Sequence, residues 1–132
     1  MRVVLADDQY RVRYALRVLL GRQPDLEISA EAVNGMDLLA HAVQVCPDLV
    51  LLDWELPGLS VVELLLALRR LCPDTRVIVM SGRPEARAEA AASDVDMFVS
   101  KAYPPERLLE AVRQVQATLH GSLVEAALRD DA

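Results

Sequence analysis

Aromatic side chains are scarce, at 4% of the 132 residues, and Trp54 and Phe98 are the single tryptophan and phenylalanine. A core must therefore be assembled from leucine, valine and alanine, for which the 53% apolar content is ample. Basic charge is in deficit. A net charge of −6 and a pI near 4.8 argue against non-specific attachment to nucleic acid or to an anionic membrane. Arg11, Arg13 and Arg17 form the one local basic cluster. No apolar run approaches the roughly 20 residues that a membrane-spanning helix needs. Met1 leads directly into Val3-Val4-Leu5, without the basic, apolar and cleavage regions of a secretory signal. Cysteine is limited to Cys46 and Cys72, with no C-x-x-C or Cys/His cluster. Free thiols, no cysteine-bound metal and a cytoplasmic location are the corresponding expectations. The length suits one domain.

What is present has a beat. Gln23-Pro24-Asp25, Cys46-Pro47-Asp48 and Cys72-Pro73-Asp74 each follow a helix-like stretch and precede a β-branched, apolar one. Proline stops a helix and biases the residue before it toward extended geometry, so these are turns from helix to strand. Strands are predicted at Arg2–Ala6, Leu26–Val33, Leu49–Asp53, Arg76–Met80 and Met97–Ser100. Three contain nearly continuous apolar runs, as strands covered on both faces of a parallel sheet do, whereas Leu26–Val33 alternates and suits an edge. Between them, Val12, Leu16, Leu19 and Leu20 line one face of a first helix, and Leu108, Val112, Val115 and Leu119 one face of the last. The third helix, Val61–Leu71, is apolar on more than one face, which fits either a generous core helix or a homodimer surface. The fourth, Pro84–Ala92, is almost all alanine, glutamate and arginine and is expected to be the least firmly held. Five βα units in series predict an α/β fold. It is a doubly wound, open parallel sheet of order 2-1-3-4-5 with helices on both faces.

In such sheets the site lies beyond the carboxyl ends of the strands, near the reversal of strand order. Asp7-Asp8 follow the first strand, Asp53 ends the third, Ser81 follows the fourth and Lys101 the fifth. Two like charges 4 Å apart repel by roughly 4 kcal/mol at an effective dielectric of about 20. One lysine cannot offset three carboxylates, and a hard divalent cation such as Mg²⁺ would. With an oxyanion-binding lysine and a hydroxyl, the set suits phosphoryl transfer, with Asp53 as nucleophile, Asp7 and Asp8 on the metal, and Ser81 and Lys101 on phosphoryl oxygens. Taken singly, Asp7 or Asp8 can equally cap the first helix and Ser81 the fourth.

With these residues in place, the chain resembles the receiver domain of two-component response regulators over about residues 2–118. The match is carried by Val-Leu-Ala-Asp-Asp-Gln at 4–9, Pro-Asp-Leu-Val-Leu-Leu-Asp at 47–53, Leu56-Pro57-Gly58, Val-Ile-Val-Met-Ser at 77–81 and Phe-Val-Ser-Lys at 98–101. Lys101-x-x-Pro-Pro-Glu106 and Glu31-Ala-x-Asn-Gly35 are most similar to receivers that precede a LuxR/NarL-type helix-turn-helix domain. The resemblance implies a flavodoxin-like fold and phosphoryl transfer from a histidine kinase, a phosphotransfer protein or a small acyl phosphate onto Asp53. It implies Mg²⁺ on Asp7, Asp8, Asp53 and the backbone carbonyl of Glu55. It also implies a switch in which Ser81 moves inward and Phe98 turns with it, although Phe98 can equally be a plain core aromatic. The implied output face is formed by the fourth helix, fifth strand and fifth helix.

Some positions depart from the pattern. Val61 replaces a customary glycine, which could alter the loop over the phosphorylation site, and Asp94 stands where a glycine commonly ends the fourth helix, a tolerable replacement because aspartate can adopt left-handed geometry. Glu55 and Arg83 are expected to pair over the pocket and to alter dephosphorylation. Trp54 is expected to pack against the third helix or the loop, and His41 and His120 to lie on helix surfaces. Residues 1–118 are assigned to the receiver and 119–132 to a tail or shortened linker. No helix-turn-helix is present, so specific DNA binding by this chain is not expected. Two alternatives stay open. One is a receiver-like interaction module that is not phosphorylated. The other is a phosphatase of the haloacid dehalogenase type, which would need a second aspartate where Glu55 stands.

Overall fold

The computed structural model describes the backbone of residues 1–130 and the side chains through residue 118. Five strands, β1 (Arg2–Ala6), β2 (Glu27–Ala32), β3 (Leu49–Asp53), β4 (Arg76–Ser81) and β5 (Met97–Ser100), alternate with five helices. These are α1 (Tyr10–Gly21), α2 (Gly35–Gln44), α3 (Val61–Leu71), α4 (Ala86–Ala91) and α5 (Pro105–Asp130). All pairings are parallel, and the order is β2-β1-β3-β4-β5, as expected.

The side-chain period of two along each strand divides the core. Val4, Ala6, Val50, Leu52, Val77 and Val79 meet α2, α3 and α4 through Leu38, Leu64, Leu68 and Ala90. Val3, Leu5, Leu49, Leu51, Ile78 and Met80 meet α1 and α5 through Leu16, Leu20, Leu108 and Val112. Central strands therefore present apolar residues at successive positions between their polar ends, and β3 is buried throughout, while edge strand β2 is only partly covered. On α1, Leu16 and Leu20 are buried, with Val12 and Leu19 partly so. The α3 helix is apolar on both sides: Leu64, Leu65 and Leu68 are buried, and Val62, Leu66 and Leu71 are exposed.

Local chemistry sets the helix starts. Asn34 accepts from Asp37 N at 2.8 Å while Asp37 accepts from Val33 N at 3.1 Å, a reciprocal cap on α2. Ser60 accepts from Glu63 N at 3.2 Å at the start of α3, so Val61 simply opens that helix. The α4 helix is shorter than expected, because Arg83 and Pro84 carbonyls accept from the amides three residues on, leaving Pro84 and Glu85 in a turn. It ends without left-handed geometry. Among the described residues only Gly58 has positive φ (102°), so Asp94 does not use the left-handed geometry open to it and faces Arg69 at 3.2 Å. Helix α5 continues through Gly121-Ser122, and the expected face position Leu119, His120 and the apolar positions beyond lie outside the described side chains.

The free-thiol expectation is overturned. Cys46 and Cys72 are not free thiols but a disulfide, with Cα atoms 5.6 Å apart. The helix-to-strand turns after α2 and α3 emerge side by side at one end of a parallel sheet, and the two cysteines occupy equivalent places in those turns. Neighbouring βα units thus bring together residues 26 apart in sequence.

An acidic pocket at the carboxyl end of the sheet

Strands β1 and β3 are adjacent, and their ends bring Asp7, Asp8 and Asp53 together. One carboxylate oxygen from each lies within 4.8 Å of the others. Asp7 is fully buried and Asp53 is 4% exposed, whereas Asp8 faces solvent. Asp7 also accepts from Gln9 N at 2.9 Å, so it shapes the entry to α1 as well as the pocket. Lys101, carried in by β5, donates to Asp7 at 2.9 Å and sits 3.4 Å from Asp53. A single ammonium is therefore shared between two buried carboxylates.

The electrostatics follow from this placement. Burial pushes the Asp53 carboxyl above its ordinary range, against the opposing pull of the Glu55 N–H and of Lys101. Burial also disfavours the charged form of Lys101, but its hydrogen bond to Asp7 and the charges of Asp53 and Asp7 outweigh that, holding it above the usual lysine value. Three hard oxygen donors against one ammonium are a donor set that fits Mg²⁺.

Ser81 and Glu55 flank the acidic set. Ser81, fully buried, donates its hydroxyl to Glu55 at 2.7 Å and accepts from Arg83 N at 3.0 Å. Lys101 N donates to the Ser81 carbonyl at 2.9 Å, so hydroxyl and lysine are held by adjoining strands. Glu55 N donates to Asp53 at 3.1 Å, and its side chain meets Arg83 at 3.5 Å, the pairing expected from sequence. Phe98 stands apart on β5, opposite Val79, partly buried, with the Arg87 guanidinium 4.8 Å above its ring. His41 is half-buried on α2 and lies 3.5 Å from Asp37.

Arg13 and Trp54 make contacts at the pocket that their sequence neighbourhood did not predict. Arg13 donates to the Asp7 carbonyl at 2.7 Å and to Glu31 at 3.0 Å, bracing the acidic loop; its membership of the α1 arginine cluster was the available signal. Trp54 is buried, but its indole N–H reaches Glu89 of α4 at 2.6 Å, a partner 35 residues away that no local pattern announces.

A model of the response regulator receiver domain matches residues 3–113. The nitrate/nitrite response regulator protein NarL of Escherichia coli K12 is 32% identical over 117 residues, covering 87% of this chain and 54% of that protein. Transcriptional activator protein ExaE of Pseudomonas putida is 35% identical over 119 residues, covering 89% and 56%. Among solved structures, a DNA-binding response regulator of the LuxR family from Staphylococcus aureus superposes with a TM-score of 0.77 at 32% identity, covering 86% of this chain and 97% of that one. The chain spans about half the length of the curated relatives it matches.

Proposed function

The chain belongs to the response regulator receiver family, whose function is phosphorylation-dependent switching, and on that premise we propose that Asp53 is its phosphoacceptor. The observation that carries this reading is the Lys101 ammonium lying between buried Asp7 and Asp53 with Asp8 alongside. A carboxylate oxygen of Asp53 attacks the phosphorus of a phosphohistidine or of acetyl phosphate. The new O–P bond forms as the P–N or P–O bond to the leaving group breaks, and the product is an acyl phosphate. Asp7, Asp8, Asp53 and the Glu55 carbonyl would hold Mg²⁺, which when bound supplies charge neutralisation at the phosphoryl oxygens. Lys101 and the Ser81 hydroxyl take two of those oxygens, and Phe98 turns as Ser81 moves.

The protein is then a switch that catalyses only its own phosphorylation and dephosphorylation. A sensor histidine kinase or phosphotransfer protein is the expected donor. A groove of about 300 Å³ between α1 and the β5–α5 turn, lined by Val12, Leu16, Leu19, Tyr103 and Pro104 beside Lys101, offers it an apolar seat. Residues 1–118 form the receiver, and residues 119–132 a C-terminal tail or shortened linker. We place it in the cytoplasm on the ground of its expected kinase donor, the Cys46–Cys72 disulfide having removed free thiols as a support, with homodimerisation of the activated form, and expect the receiver alone not to bind DNA specifically. Intact-protein mass after incubation with acetyl phosphate tests the reading. A gain of one phosphoryl group that requires Mg²⁺ is expected, and no gain from either acetyl phosphate or a phosphorylated kinase would refute it.

A further inference from the structure

A line of polar contacts that phosphoryl transfer does not itself require runs from the pocket to α4. Ser81 donates to one oxygen of Glu55 at 2.7 Å, and the other Glu55 oxygen lies 3.5 Å from Arg83 Nε. Arg83 Nη2 donates to Glu89 Oε2 at 2.9 Å, and the same oxygen receives the Trp54 indole N–H at 2.6 Å. The path begins on Ser81 and ends on Trp54, the neighbour of Asp53. Trp54 first, and then Arg83, hold the Glu89 carboxyl below its ordinary range.

Helix α4 has few other fastenings. It is six residues long, with Ala86 and Ala90 its buried residues, and Arg87 lies over Phe98. Two methyl groups bury little apolar surface, so the Glu89 contacts weigh heavily in where this helix sits.

We propose that Glu89 is a positioning residue that locks α4 to the acceptor strand while the Ser81 hydroxyl is given to Glu55, and that recruitment of Ser81 by a phosphoryl group on Asp53 releases the lock. The inference rests on Asp53 being the acceptor. A serine hydroxyl has one proton, so donating it to a phosphoryl oxygen ends its donation to Glu55. The new dianion repels the Glu55 carboxylate and attracts Arg83 away from Glu89. Without Arg83 to hold its carboxylate in place, Glu89 gives up the Trp54 indole as well, and α4 is free to shift.

Hydrogen exchange over residues 84–93 and the rate of labelling by acetyl phosphate with Mg²⁺ test this in the wild type, Glu89→Ala, Trp54→Phe and the double variant. In the resting protein each single substitution should raise α4 exchange and speed labelling about three- to tenfold, as loss of a partly exposed, charge-assisted hydrogen bond implies. The double variant should go no further than either single one, and wild type with beryllofluoride and Mg²⁺ should reach the exchange level of resting Glu89→Ala. A purely structural role would not accelerate labelling. Wild-type exchange in Glu89→Ala, or additive effects in the double variant, would overturn the lock. If Trp54→Phe does not fold, the exposed Glu89→Ala change still decides. Wild type that takes no phosphoryl group would remove the acceptor reading instead, and the resting exchange comparison would still judge the lock by itself.

Discussion

The two ends of the sheet use the same residue types in opposite ways. At the amino end, acidic groups are spent on backbone. Asp48 accepts from Arg2 N at 2.7 Å, Asp96 accepts from Val77 N at 2.7 Å, and Thr75 donates to the Pro47 carbonyl at 2.6 Å. Arg69 spans the Thr75 and Asp94 carbonyls and Asp96, and the disulfide ties two neighbouring turns. At the carboxyl end, Asp7, Asp8 and Asp53 face one another with one lysine among them. Satisfied polar groups make the first end a clamp. Accumulated like charge makes the second a receptacle, stable only because the strands that carry it are packed along their length.

The comparison can be broken most severely at the pocket. Asp53→Asn should abolish labelling by acetyl phosphate completely while leaving thermal stability equal or higher. It removes a buried charge that repels Asp7, and a calorimetric scan beside the labelling assay checks both halves. At the other end, replacing both cysteines by serine should lower stability by about 3.5 kcal/mol, the chain-entropy value for a loop of this size, with the labelling rate little changed. Denaturant melts under oxidising conditions measure the first quantity, and a labelling rate that fell with stability would join the two ends.

Asp96→Ala should cost about 2 kcal/mol in the same melts, because it strands the Val77 N–H and leaves Arg69 and Arg76 without their shared carboxylate. The smallest effect is expected over the pocket mouth. Glu55 and Arg83 are both substantially exposed, so solvent screens their pairing, and Glu55→Ala or Arg83→Ala should change the phosphoryl lifetime by about two- to fivefold. A lifetime equal to wild type in both variants would assign that pair no role in dephosphorylation.

How much of this was legible beforehand follows the same division. The bounds of β1, β3 and α3 were readable because central strands need apolar residues on both faces and α3 opens on a serine cap, and those of edge strand β5 because Asp96 and Lys101 bracket a short apolar run. The pocket was readable because a parallel sheet delivers the carboxyl ends of its strands to one edge, so each polar residue's place in its strand located it. The disulfide was not, since neither cysteine carries a signal by itself; the recurring Cys-Pro-Asp turns held it, but only for a reader who first laid the turns side by side. Helix α4 was read too long because its composition favours helix while its first residues close three-residue turns. Glu89 was invisible as a partner of Trp54, because nothing in a run of alanine, glutamate and arginine distinguishes one glutamate from another.

The central claim is that Asp53 carries the phosphoryl group. Borohydride reduction of protein labelled with acetyl phosphate and Mg²⁺ converts an aspartyl phosphate to homoserine, and peptide sequencing by mass spectrometry then locates it. Homoserine is expected at position 53 and at no other aspartate. Homoserine at Asp7 or Asp8, or labelled protein with position 53 unreduced, would contradict it.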